Sequence, residues 1–355
     1  MKTGRSLTDL AAEIERQGNA KRDLVGSTAV MGMIAPAPGQ TGAPRLVVND
    51  HGEFGIGPIA HRQIAERVKI PATYYDRMQT DAPHLLASNV NHWFKAKPEA
   101  RMVRTLDGTA RAFLSDRFRP IDNLPVAEAA LAALQEAAPD MEIASCEVTE
   151  RRLYLKATFP RIQGEVKKGD VVQAGLLLQN SEVGLGALEV SPFSMRLVCL
   201  NGMVHTEFGQ RRNHVGRHTG GDGEAREFYA DDTLKADDRA LLLKIRDTVK
   251  LVASETAFQR IVGKMREAEG AQITGDPAKA VEVLAERFHL NDGERGGVLR
   301  HLIAGGSLSA WGLANAVTRA AEDADSYDRA TELERMGGQI IELPRQDWRV
   351  MAEAA

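Results

Sequence analysis

Apolar and polar residues alternate along Val172–Leu178 and again along Leu188–Cys199, the period of two that β-strands carry. Between the two runs the alternation stops at Asn180-Ser181-Glu182-Val183-Gly184-Leu185-Gly186, and the second run ends at Asn201-Gly202. Glycine tolerates positive φ and close approach, while Asn and Ser bring short donors and acceptors. Both breaks therefore predict a backbone brought close to something. Asn180, Ser181, Gly184, Gly186, Asn201 and Gly202 are the candidates for shaping a ligand pocket.

The same reading gives the neighbouring elements. Asp107-Gly108 between Arg101–Leu106 and Thr109–Leu114 predicts a two-residue hairpin. Asn123 caps an alanine-rich helix over Pro125–Ala138, and strands follow at Glu142–Val148 and Leu153–Phe159. Upstream, Leu7–Gln17, Ile59–Val68, Ala72–Met78 and Pro83–Phe94 read as helices, with Met31–Ala43 as a Pro- and Gly-containing loop. Downstream, Leu241, Leu242, Ile245, Val249 and Val252 recur at helical spacing. Further helices are expected over Phe258–Ala268, Pro277–Phe288, Gly293–Ile303, Leu308–Asp323 and Asp325–Met336, the last closed by Gly337-Gly338.

These elements predict an α+β protein: a helical N-terminal part, a central antiparallel β core with a packed helix, and an α-helical C-terminal part. The expected divisions are 1–50 (an N-terminal arm), 51–98 (a small helical region), 99–220 (the central α+β core) and 221–355 (the C-terminal helices), with a junction at Gly220-Gly221-Asp222-Gly223. At 355 residues and 43% hydrophobic content the chain can bury a sizeable core, and its net charge of −4 offers no overall attraction for nucleic acid. Two cysteines, Cys146 and Cys199, fall in expected strands and read as buried hydrophobes rather than a disulfide. With no signal-peptide core and no membrane-length apolar run, a cytoplasmic location is expected.

Val183-Gly184-Leu185-Gly186, Arg196-Leu197-Val198-Cys199 and Asn201-Gly202-Met203 together resemble the phage/plasmid-like protein family, domain of unknown function 932. Leu114–Asn123, Arg211–Thr219 and Trp311–Arg319 extend the resemblance, which spans Phe54–Leu343. It implies an intracellular protein of a mobile genetic element and says nothing of a reaction.

Basic residues gather on the β portion. Arg152, Tyr154 and Lys156 share one strand face, a cation–aromatic–cation stripe suited to single-stranded nucleic acid, or simply a solvated face. Arg196 and the dense stretch holding Arg211, Arg212 and Arg217 complete the candidate phosphate contacts. Cys199, His205, His214 and His218 contain zinc-ligand types, but their spacing fits no standard finger. Gln63–Met78 resembles a helix-turn-helix, with Lys69 where glycine usually eases the turn. Asp116 and Asp122 read as salt-bridge and turn residues rather than metal ligands. No P-loop, dinucleotide fingerprint, nucleophile elbow or zinc-protease motif occurs.

The leading expectation is a non-enzymatic, cofactor-free single-stranded DNA-binding protein serving annealing or recombination. The order hairpin, helix, meander is similar to that of single-strand annealing proteins, and a homo-oligomer would lengthen its groove. The alternatives are an enzyme or small-ligand protein with a pocket at the Asn-Ser and Asn-Gly breaks, and a protein-binding regulator such as an anti-defence factor.

Overall fold

A computed structural model describes residues 1–37, 40, 42–214 and 231–353. The turn at Asp107-Gly108 puts both residues at positive φ, 50° and 74°, as the primed hairpin turns require. It joins β5 (Ala100–Leu106) to β6 (Thr109–Ser115), with Leu106 opposite Thr109. This hairpin lies in a different sheet from the meander that follows it.

That first sheet draws its other strands from the N-terminal residues: β1 (Arg22–Ser27), β2 (Met31–Ile34), β3 (Arg45–Val48) and β4 (Gly52–Ile56). The loop expected over Met31–Ala43 is therefore corrected at Met31–Ile34, where four residues, Met-Gly-Met-Ile, are too few to show a clear alternation. The strand order is β1-β5-β6-β4-β3-β2. Only residues 28–30 separate the two edge strands in sequence. Five interstrand steps come to about 24 Å, and this connection reaches at most about 14 Å, so the sheet must curl. It wraps α2 (Pro58–Arg67), α3 (Ala72–Asp81) and α4 (Pro83–Ala96), with Ile64, Tyr75, Val90 and Phe94 sharing a core with Leu46, Val103 and Phe113. Lys69 makes the α2–α3 turn at φ 57°. The pair is a packed helical hairpin in which Tyr75 is buried and its hydroxyl meets His61 Nδ1 at 2.9 Å.

The second sheet is antiparallel, in the order β11-β10-β9-β8-β7. Its strands are β7 (Glu142–Val148), β8 (Leu153–Lys167), β9 (Asp170–Asn180), β10 (Leu188–Arg196) and β11 (Asn201–Val204), with β12 (Gln210–Arg212) added beside β10. Register sets Leu155 opposite Leu178 and Ala157 opposite Leu176. Those residues share a core with Val126 and Leu134 of α5 (Asn123–Ala137) and with α6 (Asp231–Val252) and α7 (Glu255–Gly270). The first helix, α1 (Leu7–Ala20), packs Leu10 and Ile14 near β7. The opposite face carries Tyr154, Leu177 and Phe193, which meet Tyr327 of α11 (Tyr327–Ile341). With helices on both faces, β9 is buried along nearly its whole length.

The remaining helices are α8 (Pro277–Phe288), α9 (Asp292–Gly305), α10 (Ala310–Ala320) and α12 (Arg345–Glu353). Gly337 and Gly338 do not close a helix, contrary to expectation, because α11 runs through them to Ile341. A methyl group at Gly338 would strike the Val204 carbonyl, and one at Gly337 the Thr318 side chain. These glycines let α11 press onto β11 and α10. No helix among the described residues is long and apolar enough to cross a membrane.

Candidate functional site

The breaks at 180–186 and 201–202 meet protein. Asn180 is fully buried, and its Nδ2 donates to Ile121 O at 2.8 Å and Asn123 Oδ1 at 2.9 Å. Ser181 Oγ donates to Arg151 O (2.8 Å) and accepts from Leu185 N (3.1 Å). Glu182 accepts from Asn123 N at 2.7 Å and pairs with Lys21 and Arg111. Burial pushes the Glu182 pKa up, but Arg111, Lys21 and the Asn123 N–H outweigh it and hold the carboxyl below its ordinary value. Beside it, fully buried Arg104 binds Asp23 (2.7 Å), Asp122 (2.8 Å) and Glu182 O (2.9 Å). Gly184 takes φ +78°, and a side chain there would meet Leu114. The 114–123 and 180–186 segments thus fasten the two sheets together through a buried charge network.

The second pair of segments docks likewise. Arg196 binds both Asp170 oxygens, and Trp311 Nε1 donates to Asp170 Oδ2 at 2.9 Å. Asn201 Nδ2 reaches Asn315 Oδ1 (3.2 Å) and Thr318, while Arg319 donates to Cys199 O at 3.1 Å. Gly202 lies where any Cβ would enter the Phe193 ring. The Asn-Ser break reaches the surface at its end, where Gly186 lines the cleft described below. Cys199 sits in the turn after β10 rather than in a strand, and Leu200 there takes φ 54°.

The stripe at Arg152, Tyr154 and Lys156 is not exposed. Lys156 and Glu334 form an ion pair with both side chains at 0% exposure, and Tyr154 donates to Asp328 Oδ1 at 2.7 Å. Alternation placed these residues on one face correctly; it did not reveal that α11 covers that face. Arg196 and Arg212 are tied to Asp170 and Asp237. A continuous cationic track over the β core is therefore excluded for these residues. Arg217 and His218 lie outside the described residues.

Arg152, Tyr154, Arg211 and Gly186 do come together, in a cleft of about 470 Å³ beneath α11. Strand register builds its floor: Arg211 lies opposite Glu189, Glu189 opposite Gln179, and Gln179 opposite Tyr154. That row crosses four strands on one face. The far wall is α11, from which Asp328, Thr331, Glu332, Arg335 and Gln339 line the cleft at helical spacing. Thr206, Gly209 and Gln210 close the third side. Gly186 leaves room for the Arg152 guanidinium, since a Cβ there would stand 2.8 Å from Nε.

Charges in the cleft are balanced but not all committed. Arg335 Nη1 holds Glu189 at 2.7 Å, and Ser191 and Gln179 also donate to that carboxylate. Burial works to raise the Glu189 pKa, yet Arg335, Ser191 and Gln179 keep it below the ordinary carboxylate value. Exposed Arg211 has no ion-pair partner among the described residues. Thr331 Oγ1, Arg335 Nη2 and Arg152 Nε are buried atoms without a hydrogen-bond partner. Thr331, Arg335 and Glu189 were not candidates from sequence. Thr331 and Arg335 showed only as polar positions on a helix and Glu189 as one in an alternating strand, with nothing to say what those faces meet.

Of the histidines and cysteine weighed as zinc ligands, His205 is fully buried against Ser194 Oγ (2.8 Å), and burial lowers its pKa to about 3. His214 stacks on Phe118 at 5.1 Å. The described residues hold no group of three or more His, Cys, Asp or Glu positioned to bind a metal.

A family model described as Domain of unknown function (DUF932) matches residues 112–335. The match begins inside β6, so it is narrower than the Phe54–Leu343 span expected, and it contains both docking pairs and most of the cleft. No curated protein and no solved structure matches the chain.

Proposed function

The chain belongs to the family of domain of unknown function 932, and from there we propose that it binds single-stranded nucleic acid locally, in the cleft under α11, with Arg152 and Arg211 on phosphates. The supporting observation is that these two arginines, one just before β8 and one on β12, line one cleft. The cleft's size suits one small ligand or a nucleotide rather than a long strand. Neutralisation of Lys156, Arg196 and Arg212 argues for few phosphate contacts instead of many. The role in phage or plasmid DNA metabolism, implied by the resemblance, is part of the same proposal.

Salt dependence measures the number of contacts. For single strands, log K falls with log salt at about −0.7 per phosphate neutralised. Two or three contacts give a slope of about −1.4 to −2, whereas the full six-cation track would give about −4. Fluorescence anisotropy of a labelled oligonucleotide across a salt series reads this directly, and Arg152→Gln with Arg211→Gln should flatten the slope further. Absence of binding at low salt would reject the reading.

A further inference from the structure

Resting on the nucleic-acid reading for the class of ligand, we propose a second, weaker contact for a single strand where α2 and α4 end, with Trp93 on a base and Lys69, Lys95 and Lys97 on phosphates. None of these residues lines the cleft. Arg67, the last residue of α2, ties the corner together: its Nη2 donates to Lys97 O at 2.8 Å, and its Nε pairs with Glu99 at 2.8 Å. Arg101 pairs with the same carboxylate at 2.6 Å. Glu99 thus serves two arginines. Glu66, on the last turn of α2, brings the carboxylates to two against five cations.

The cations free to meet a ligand are the lysines. Lys69, in the turn two residues after Arg67, and Lys95 and Lys97, at the end of α4, are exposed and have no ion-pair partner among the described residues. A basic residue in the last turn answers the negative end of a helix, which accounts for Arg67 and Lys95. Lys69 and Lys97 lie beyond the helices, and the ring of Trp93 has no such role. Trp93 stands four residues before Lys97, whose N–H donates to Trp93 O at 3.1 Å, so the two sit one above the other along the helix. Cations beside an open ring suit a single strand, because phosphates need charge and every base has a face to stack. An open surface with three free cations holds a strand more loosely than a cleft does.

The ring supplies its own readout. Trp93 is 41% exposed, whereas Trp311 at 2% and Trp348 at 8% are buried, so quenching of intrinsic fluorescence reports on Trp93. A short oligothymidine is titrated into the full chain at low salt. The expected curve shows a lag over the first equivalent, while the cleft fills, and then quenching. Affinity in the quenching phase should fall with a log–log salt slope of about −2, as three phosphates predict. Lys69→Gln, Lys95→Gln and Lys97→Gln together should weaken that phase roughly tenfold, and Trp93→Phe should abolish the signal. Arg152→Gln with Arg211→Gln should remove the lag and keep the quenching. No quenching at any loading, or quenching that the triple lysine variant keeps in full, overturns this inference and leaves the cleft to its own anisotropy test. A shift of Trp93 emission by phosphatidylserine vesicles, with none by oligothymidine, would make the corner a lipid surface and overturns it as well. The cleft reading fails separately, when the lag is absent and the double arginine variant changes nothing.

Discussion

Lys156 and Glu334 show how much a single buried pair governs under α11. Both side chains are fully withdrawn from water, and Lys156 Nζ also lies 4.7 Å from the centre of the Tyr327 ring. Removing one partner strands a charge in the interior, which typically costs about 3–5 kcal/mol. Replacing both by apolar residues of similar volume is often neutral. Glu334→Gln should therefore lower unfolding stability by about 3 kcal/mol, and Lys156→Met with Glu334→Leu should recover most of it, as read from urea denaturation. Equal losses in the Glu334→Gln and double variants would show that a stranded Lys156 charge is not what lowers the stability.

Buried histidines set the pH response at the same scale. Burial lowers the His205 pKa to about 3 and the His61 pKa to about 4, from 6.5. Both are neutral in the fold, so below pH 6.5 the unfolded chain binds protons that the folded chain refuses. Stability must then fall as pH drops, by about 2 kcal/mol per histidine between pH 7 and 5. Glu182 and Glu189, whose pKa values lie below the ordinary 4.5, contribute their losses only at lower pH. His205→Gln or His61→Gln should flatten the pH 7 to 5 decline in urea midpoint; an unchanged decline would assign it to other groups.

Among the elements, α11 has the strongest consequences, because it covers one face of the second sheet and forms one wall of the cleft. Gly338 gives a test by sign. In an exposed helix interior, Gly→Ala stabilises by about 1 kcal/mol. At Gly338 the added methyl meets the Val204 carbonyl, so Gly338→Ala should instead destabilise, by about 1–3 kcal/mol as overpacking does. A stabilised variant would mean that α11 does not press on β11. Legibility in the sequence divides along the same line. The Asp107-Gly108 turn and the helices α2 and α4 were readable, α2 expected from Ile59 and found from Pro58, because turn chemistry and helical periodicity are local. The pairing of Arg152 and Tyr154 on one face was readable from alternation. What covered that face was not, because periodicity separates the two sides of a strand without naming their neighbours. Gly337-Gly338 misled for a related reason: a glycine pair needed for close packing looks the same in sequence as one that ends a helix.

For the whole molecule, the segments that carry the family resemblance mostly build its internal joints. Residues 114–123 meet 180–186 between the two sheets, and 196–202 meet 311–319 between the second sheet and α10. The cleft is assembled from parts far apart in the chain: the start of β8, the β10–β12 pairing and α11. Arg152, Tyr154, Gly186 and Arg211 were recognisable as candidates from their own segments. Glu189, Thr331 and Arg335 became so only once register and helix docking placed them alongside. Hydrogen–deuterium exchange of the full chain, with and without a saturating single-stranded oligonucleotide, tests most directly whether this cleft is the contact. The expected result is slowed exchange concentrated over Thr206–Arg212 and the amides around Arg152. Protection confined to α2–α4, or none at all with oligonucleotide bound, would contradict it.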